Sequence, residues 1–254
     1  MRQGSCGTCG ERIESAARAS GCRSTNVTVL GAWVKMPAVF IAAVVVAYLV
    51  GAIPFGVIIA RLHSKDLRSI GSGNIGATNV ARACGRKWGY ICFALDVLKG
   101  AAPVVVFPLV APGEAVSAGF FAMWLAVGIA AIIGHIFPVY LRFNGGKGVS
   151  TSLGVALGVW PYFTVCGLIA LLVWVACVLK WQYISLASIC AALTFPVTLA
   201  IAATVVPNWE LGQMWPLLVV AVAIPVLVIV RHRENITRLR AGTESKIRSK
   251  EDQR

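Results

Sequence analysis

Charged side chains are scarce in this chain. Asp, Glu, Lys and Arg make up 13% of its 254 residues, about half the share that a soluble domain carries. A self-contained water-soluble globule is thereby excluded, and a mean hydropathy of +0.79 with 58% hydrophobic residues agrees. Residues 1–35 lack an apolar core region ahead of any cleavage site, so they are not read as a secretory leader. They are rich in Gly, Ser and Arg without apolar periodicity, which predicts a disordered tail. Met36-Pro37, directly before the first apolar run, is an alternative start of translation. Cys6-Gly7-Thr8-Cys9 has the spacing of half a zinc site, but the second half is missing and Cys22 stands alone, so no metal is assigned. Cys84, Cys92, Cys166, Cys177 and Cys190 lie in or beside apolar segments and read as small packing residues.

What the chain does have is long apolar runs. A spanning helix needs roughly 20 apolar residues, because the hydrocarbon core is about 30 Å thick and each helical residue rises about 1.5 Å. Candidate segments fall at about 38–60, 88–111, 117–139, 149–159, 161–179, 184–206 and 213–230. The fourth is short, and Trp160-Pro161 breaks the run between 149 and 179, since proline disfavours helix at the residue before it and has no N–H to donate. The expected fold is all-α, a polytopic membrane bundle of about seven membrane segments including one short half-helix; a single long helix over 149–179 would make six. The expected organisation is a tail at 1–35, a membrane domain at 36–240 and a polar C-terminal tail at 241–254.

The formal charge of +13 admits three explanations: nucleic acid, membrane topology or phosphate ligands. Its distribution favours topology. The connection 61–87 carries six Lys or Arg, 140–148 carries Arg142 and Lys147, Lys180 opens the next connection, and 231–254 carries eight. The opposite connections, 112–116 and 207–212, carry none, so the basic side is assigned to the cytoplasm and the N-terminus of a seven-segment chain to the outside. Arg2, Arg12, Arg18, Arg23 and Lys35 run against that rule. Either the tail is not native or the segments number six.

Three basic or glycine-rich stretches fall on the basic side. Gly71-Ser72-Gly73-Asn74-Ile75-Gly76 matches GxGxxG, with Asp96 lying 20 residues past Gly76, but the polar segment 63–69 before it is no buried strand, and a dinucleotide fold is rejected. Its glycines still allow backbone N–H groups to approach an anion closely. Ser72, Asn74, Thr78 and Asn79 add polar groups, and Arg82 offers a two-pronged phosphate contact. Alone, this stretch reads more readily as an ordinary tight loop. The second stretch, Gly145-Gly146-Lys147-Gly148, precedes a helix and places a lysine and N–H groups at a positive helix end. It is no Walker A loop, because Gly148 stands where Ser or Thr belongs. In the third, His232 and Asn235 share a helical face where the last span leaves the membrane, and a titratable imidazole there is either a solvated interfacial residue or a base that orients a hydroxyl. Asp96 and Lys99, inside an apolar run, are expected to form a structural ion pair supporting the first loop.

Ser72 through Asn79, Gly134-His135 with Phe143 through Val149, and Arg231 through Asn235 with Gly242-Thr243-Glu244 together resemble the three motifs of the bacterial acyl-phosphate:glycerol-3-phosphate acyltransferase family (PlsY). The resemblance covers about residues 37–244 with the motifs in order. It implies transfer of a fatty acyl group from acyl phosphate to the sn-1 hydroxyl of glycerol-3-phosphate, giving lysophosphatidic acid and phosphate in phospholipid synthesis. It implies no metal and no organic cofactor, no nucleic acid partner, an environment of membrane lipids, and a functional link to an enzyme that forms acyl phosphate. It further implies a multi-pass protein of the bacterial cytoplasmic (inner) membrane with its active site facing the cytoplasm. By motif position, Ser72, Arg82 and Lys147 should hold phosphate, with Asn74, Thr78, Asn79, Gly145 and Gly146 around them. Ser185 should line the pocket, and His232 with Asn235 should orient the attacking hydroxyl. None of His63, His135 and His232 is followed five residues later by Asp, so the HxxxxD motif of other glycerolipid acyltransferases is absent. The proton acceptor, His232 or a substrate phosphate, stays open. A transporter of small phosphorylated anions is the rival reading, since broken helices also build transport sites; against it, the segments show no inverted repeat and the motifs lie at one face.

Overall fold

The computed structural model describes residues 37–111, 117–207, 209 and 211–246, and the expectations made for the tail and its cysteines lie outside them. Among the described residues the secondary structure is helical throughout. Helix α1 (37–52) ends where Pro54 withholds an N–H, and α2 (Phe55–Leu62) continues the span. A loop leads to the short α3 (Ala77–Cys84), and Gly85, at φ +96°, turns the chain into α4 (Arg86–Val110). Then follow α5 (Ala118–Ile136), a 3-10 turn (Val139–Leu141), α6 (Val149–Gly158), α7 (Thr164–Trp181), α8 (Ile184–Val205), α9 (Leu211–Arg231) and α10 (Arg233–Arg240). Among the described residues six stretches are long and apolar enough to cross a membrane, and α6 is the short seventh.

The half-helix and the break after it are where the proline argument placed them. Helix α6 is only 10 residues long, about 15 Å at about 1.5 Å per residue. The turn that follows completes the crossing: Tyr162 packs on Phe121 at 4.8 Å and on Trp209 at 5.0 Å, at the end of the bundle where α5 and α9 begin. The chain therefore passes from one end to the other seven times, and the start of α1 lies opposite the end of α9. Phe40 on Phe107, at 6.4 Å, belongs to the same far end.

Two crossings are close because they carry glycine. A Cβ on Gly51 would strike the backbone of Ala131, and one on Gly134 would strike that of Tyr48 and Ala52, so α1 and α5 meet backbone to backbone. Gly100 against Thr151 and Gly154 against Val97 do the same for α4 and α6. Phe107, Phe121, Phe163, Leu199 and Leu217 fill the core, whereas Leu109, Leu172 and Leu179 are over two-thirds exposed, as lipid-facing side chains are. Asp96 and Lys99 pair at 2.8 Å inside α4. Their expected support of the first loop is corrected: Lys99 Nζ donates at 2.8 Å to the carbonyl of Ile53 at the α1–α2 break, which also accepts from the Phe55 N–H at 3.1 Å.

Candidate functional site

The first loop is built around Asn79. Its buried amide donates to the carbonyls of Leu67 and Ile70, both at 3.0 Å, and its Oδ1 accepts from the Ser72 N–H at 3.2 Å. Asn74 Oδ1 accepts from the Gly76 N–H at 2.9 Å. Both asparagines border the site, but these bonds commit the whole Asn79 amide, and the Oδ1 of Asn74, to holding the loop. Gly71 and Gly73 have φ of +56° and +65°, which glycine adopts without strain. Arg68 donates to the carbonyls of Gly73 and Asn144, joining the first loop to the second.

In the second loop the N–H groups of Gly145 and Gly146 donate to the carbonyls of Ile136 and His135, each at 3.1 Å. They are therefore not anion donors as the sequence led us to expect, and neither residue lines the cleft. Their contribution is steric: a Cβ on Gly145 would meet the backbone of His135 and Ile136, and one on Gly146 would enter the imidazole of His135. Gly148, at φ +83°, then caps α6.

A cleft of about 440 Å³ opens between these loops and the ends of α8, α9 and α10. Ser72, Asn74, Thr78, Asn79, Arg82, Lys147, Ser185, His232 and Asn235 all line it. So do Ala77 and Thr78, Val149 and Ser150, and Ile184 and Ser185, the first turns of α3, α6 and α8. First-turn N–H groups have no carbonyl partner within their own helix, so three partial positive helix ends converge with the side-chain cations.

The third stretch supplies a hub that sequence reasoning passed over. Glu244 accepts from Ser185 Oγ at 2.7 Å and Asn235 Nδ2 at 2.6 Å, and its other oxygen accepts from Arg238 Nε at 2.8 Å. Glu244 thus belongs to the cleft although it lies beyond 240. Asn235 Oδ1 in turn accepts from Lys147 Nζ. Burial raises the Glu244 pKa, but the hydrogen bonds from Asn235, Arg238 and Ser185 and the Arg238 charge outweigh it, and the net shift is downward. Burial lowers the pKa of Lys147, with Glu244 opposing. His232 is pushed down to about 4, by burial first and then by the Lys147 charge. Its Nδ1 lies 2.8 Å from the Val228 carbonyl, which only accepts; the ring is therefore a neutral Nδ1–H tautomer with Nε2 left as an acceptor. The signal that could have found the hub was Glu244 in the quoted Gly242-Thr243-Glu244, a carboxylate closing a mostly basic motif.

The cleft continues into an apolar cavity of about 80 Å³. Phe93, Val149, Trp174 and Ser188 border both spaces, and Ala156, Gly167, Ala170, Ala192 and Phe195 line the deeper one. A site of this kind receives a molecule with an anionic head and an apolar tail. Among the described residues no three His, Cys, Asp or Glu side chains come together as a metal site would require.

Fold and cleft define an integral membrane protein that handles amphiphilic anions at one end of a helical bundle. The family model for glycerol-3-phosphate acyltransferase matches residues 41–242. The chain belongs to that family and is a membrane glycerol-3-phosphate acyltransferase. The glycerol-3-phosphate acyltransferase of Geobacter sulfurreducens is 46% identical over 206 residues, 80% of this chain and 95% of that protein. That of Aquifex aeolicus is 42% identical over 211 residues, 82% and 98% of the two chains. The crystal structure of PlsY, an integral membrane glycerol 3-phosphate acyltransferase, in its glycerol 3-phosphate form superposes with a TM-score of 0.70 at 39% identity, covering 82% of this chain and 94% of that one. Its lysophosphatidic acid form gives 0.68 at 38% identity. Family membership sets the transporter reading aside.

Proposed function

We propose that the protein transfers a fatty acyl group from acyl phosphate to the sn-1 hydroxyl of glycerol-3-phosphate, releasing lysophosphatidic acid and inorganic phosphate. The observation that supports it is the meeting of Arg82, Lys147 and His232 at one cleft that runs into an apolar cavity. Two phosphorylated substrates need several fixed cations and N–H donors, and one of them needs room for a hydrocarbon chain. Arg82, Lys147 and Ser72 hold phosphate, aided by the α3 and α6 helix ends, and the acyl chain lies along the cavity toward Phe195. Asn74 and Asn79 shape the first loop, Thr78 borders the cleft, and Gly145 and Gly146 seat the second loop.

The glycerol hydroxyl oxygen attacks the acyl carbon, the bond from that carbon to the phosphate oxygen breaks, and phosphate leaves with the electron pair. His232 Nε2 accepts a hydrogen bond from the hydroxyl and orients it together with Asn235, which Glu244 fixes, while Ser185 borders its path; the proton passes to a substrate phosphate oxygen, a stronger base than a ring whose pKa is held at about 4. Phosphate is an activated leaving group, so positioning and charge stabilisation supply most of the acceleration without a covalent enzyme intermediate or a cofactor. The enzyme works in the bacterial cytoplasmic membrane with the cleft toward the cytoplasm, a reading supported by the excess of Lys and Arg on that side's connections. An acyl-phosphate-forming enzyme supplies the donor.

The test is a donor comparison on purified protein. Palmitoyl phosphate with glycerol-3-phosphate should yield phosphate and 1-palmitoyl lysophosphatidic acid, with negligible product from palmitoyl-CoA or palmitoyl carrier protein. Turnover from either thioester at the acyl-phosphate rate would overturn the donor assignment, and acylation at the secondary hydroxyl would overturn the position.

A further inference from the structure

Arg231 has no part in the chemistry set out above, yet it stands where the two sides of the cleft are joined. Its Nη2 donates to the Gly146 carbonyl at 2.9 Å, and its Cζ lies 5.7 Å from the centre of the Phe137 ring. Its Nε is buried without a hydrogen-bond partner, and the residue as a whole is half-buried. Along the chain Arg231 precedes His232, and Gly146 precedes Lys147. One hydrogen bond therefore links the backbone beside the hydroxyl-orienting imidazole to the backbone beside the phosphate-holding ammonium, across 85 residues of sequence.

We propose that Arg231 is a positioning residue whose bond to Gly146 fixes where Lys147 stands relative to His232, holding the phosphate and the attacking hydroxyl of glycerol-3-phosphate in register. The proposal rests on the roles given above to Lys147 and His232. Two features single out this contact. The other direct link between the two stretches, from Lys147 to Asn235, is made by the ammonium itself, and an arriving phosphate competes for it. The Arg231–Gly146 bond uses no group that meets substrate, so it persists when Lys147 turns to its ligand. The second loop is also seated from beneath, where the His135 ring fills the space a Gly146 side chain would need and the His135 carbonyl takes the Gly146 N–H. Arg231 completes that seat from the α9 side. Arginine suits the task because its planar fork, set against Phe137, has few orientations, whereas a lysine ammonium has many.

The experiment is steady-state kinetics on Arg231→Gln and Arg231→Lys in detergent, with kcat scaled to folded protein and the thermal midpoint measured alongside. Misplacing reacting groups lowers kcat more than binding, so kcat should fall about thirtyfold in Arg231→Gln with KM for glycerol-3-phosphate within about twofold. Arg231→Lys keeps one donor for the Gly146 carbonyl and should lose only about threefold. A raised KM at constant kcat would make Arg231 a direct ligand and overturn the proposal. Unchanged kcat per folded molecule in either variant, with only the thermal midpoint lowered, would reduce it to a packing residue. A lysine variant as slow as the glutamine variant would also overturn it. Should Arg231→Gln fail to fold, the lysine variant decides alone, through its kcat loss at constant KM. Loss of activity in Lys147→Ala and His232→Ala tests the underlying roles independently, so their failure is distinguishable from that of Arg231.

Discussion

Lys147 gives up hydration for a hydrogen bond to Asn235 and the nearby Glu244 charge. Its burial pulls its pKa down, and a bound phosphate restores the balance in favour of the charged form. Lys147→Ala should therefore cost kcat/KM about a hundredfold to a thousandfold, the scale of a lost charge-stabilising donor, with the thermal midpoint kept; the same assay on Arg82→Ala should give a loss of the same sign. Glu244→Gln keeps the shape but removes the charge that gathers Asn235, Arg238 and Ser185, and should lower kcat/KM by about 1.5–3 kcal/mol, read as a ten- to hundredfold loss. His232 gives a pH signature. Its folded value of about 4 lies below the ordinary 6.5, so between these pH values the unfolded chain binds the extra proton. Its contribution to stability is complete above pH 6.5 and is lost as pH falls toward 4. The fall of the thermal midpoint over that window should be shallower in His232→Gln than in the wild type; equal slopes would refute the buried neutral ring.

The elements set the floor and walls of the apolar cavity. Ala192 on α8 and Ala170 on α7 leave the space, and Phe195, edge-on to Phe163 at 5.0 Å, closes its deep end. Ser188 to Phe195 is two helical turns, about 10 Å at about 1.5 Å per residue, so a long chain must bend or leave toward lipid beyond it. Ala192→Phe should slow palmitoyl phosphate by about tenfold while sparing octanoyl phosphate; a profile unchanged across chain lengths would show that the donor lies elsewhere. The glycine crossings are a second prediction at this scale. Gly154→Ala forces α6 away from the Val97 backbone and should destabilise by about 1–3 kcal/mol, measured as a lower thermal midpoint in detergent. The first of these elements was only partly legible in sequence. The proline at 161 marked the break after α6, but the break inside the first span, at Pro54, was missed because the apolar run continues through it.

Across the whole molecule, seven passages put the start of α1 opposite the cleft. In a cysteine-depleted background, cysteines at Lys65 and Arg240 should react with an impermeant reagent only from the cytoplasmic face, and one at Gly212 only from the other. The reverse pattern would invert the orientation inferred from the basic connections.

Composition and apolar run length by themselves determined that this chain crosses a bilayer, because hydrocarbon rejects charge whatever the tertiary arrangement. The motif residues likewise announced an anion site, since phosphate demands cations and N–H donors of recognisable types. Which groups remain free to meet a ligand was decided only by packing. The N–H groups of Gly145 and Gly146 turned out to be bonded within the second loop's own surroundings, Asn79 to be spent on its loop, Lys99 to be bonded at a helix break, and Glu244 to bind three partners. A hydrogen bond joins atoms that are near in space, and residues as distant in sequence as Gly146 and Arg231 come near only after the helices have packed.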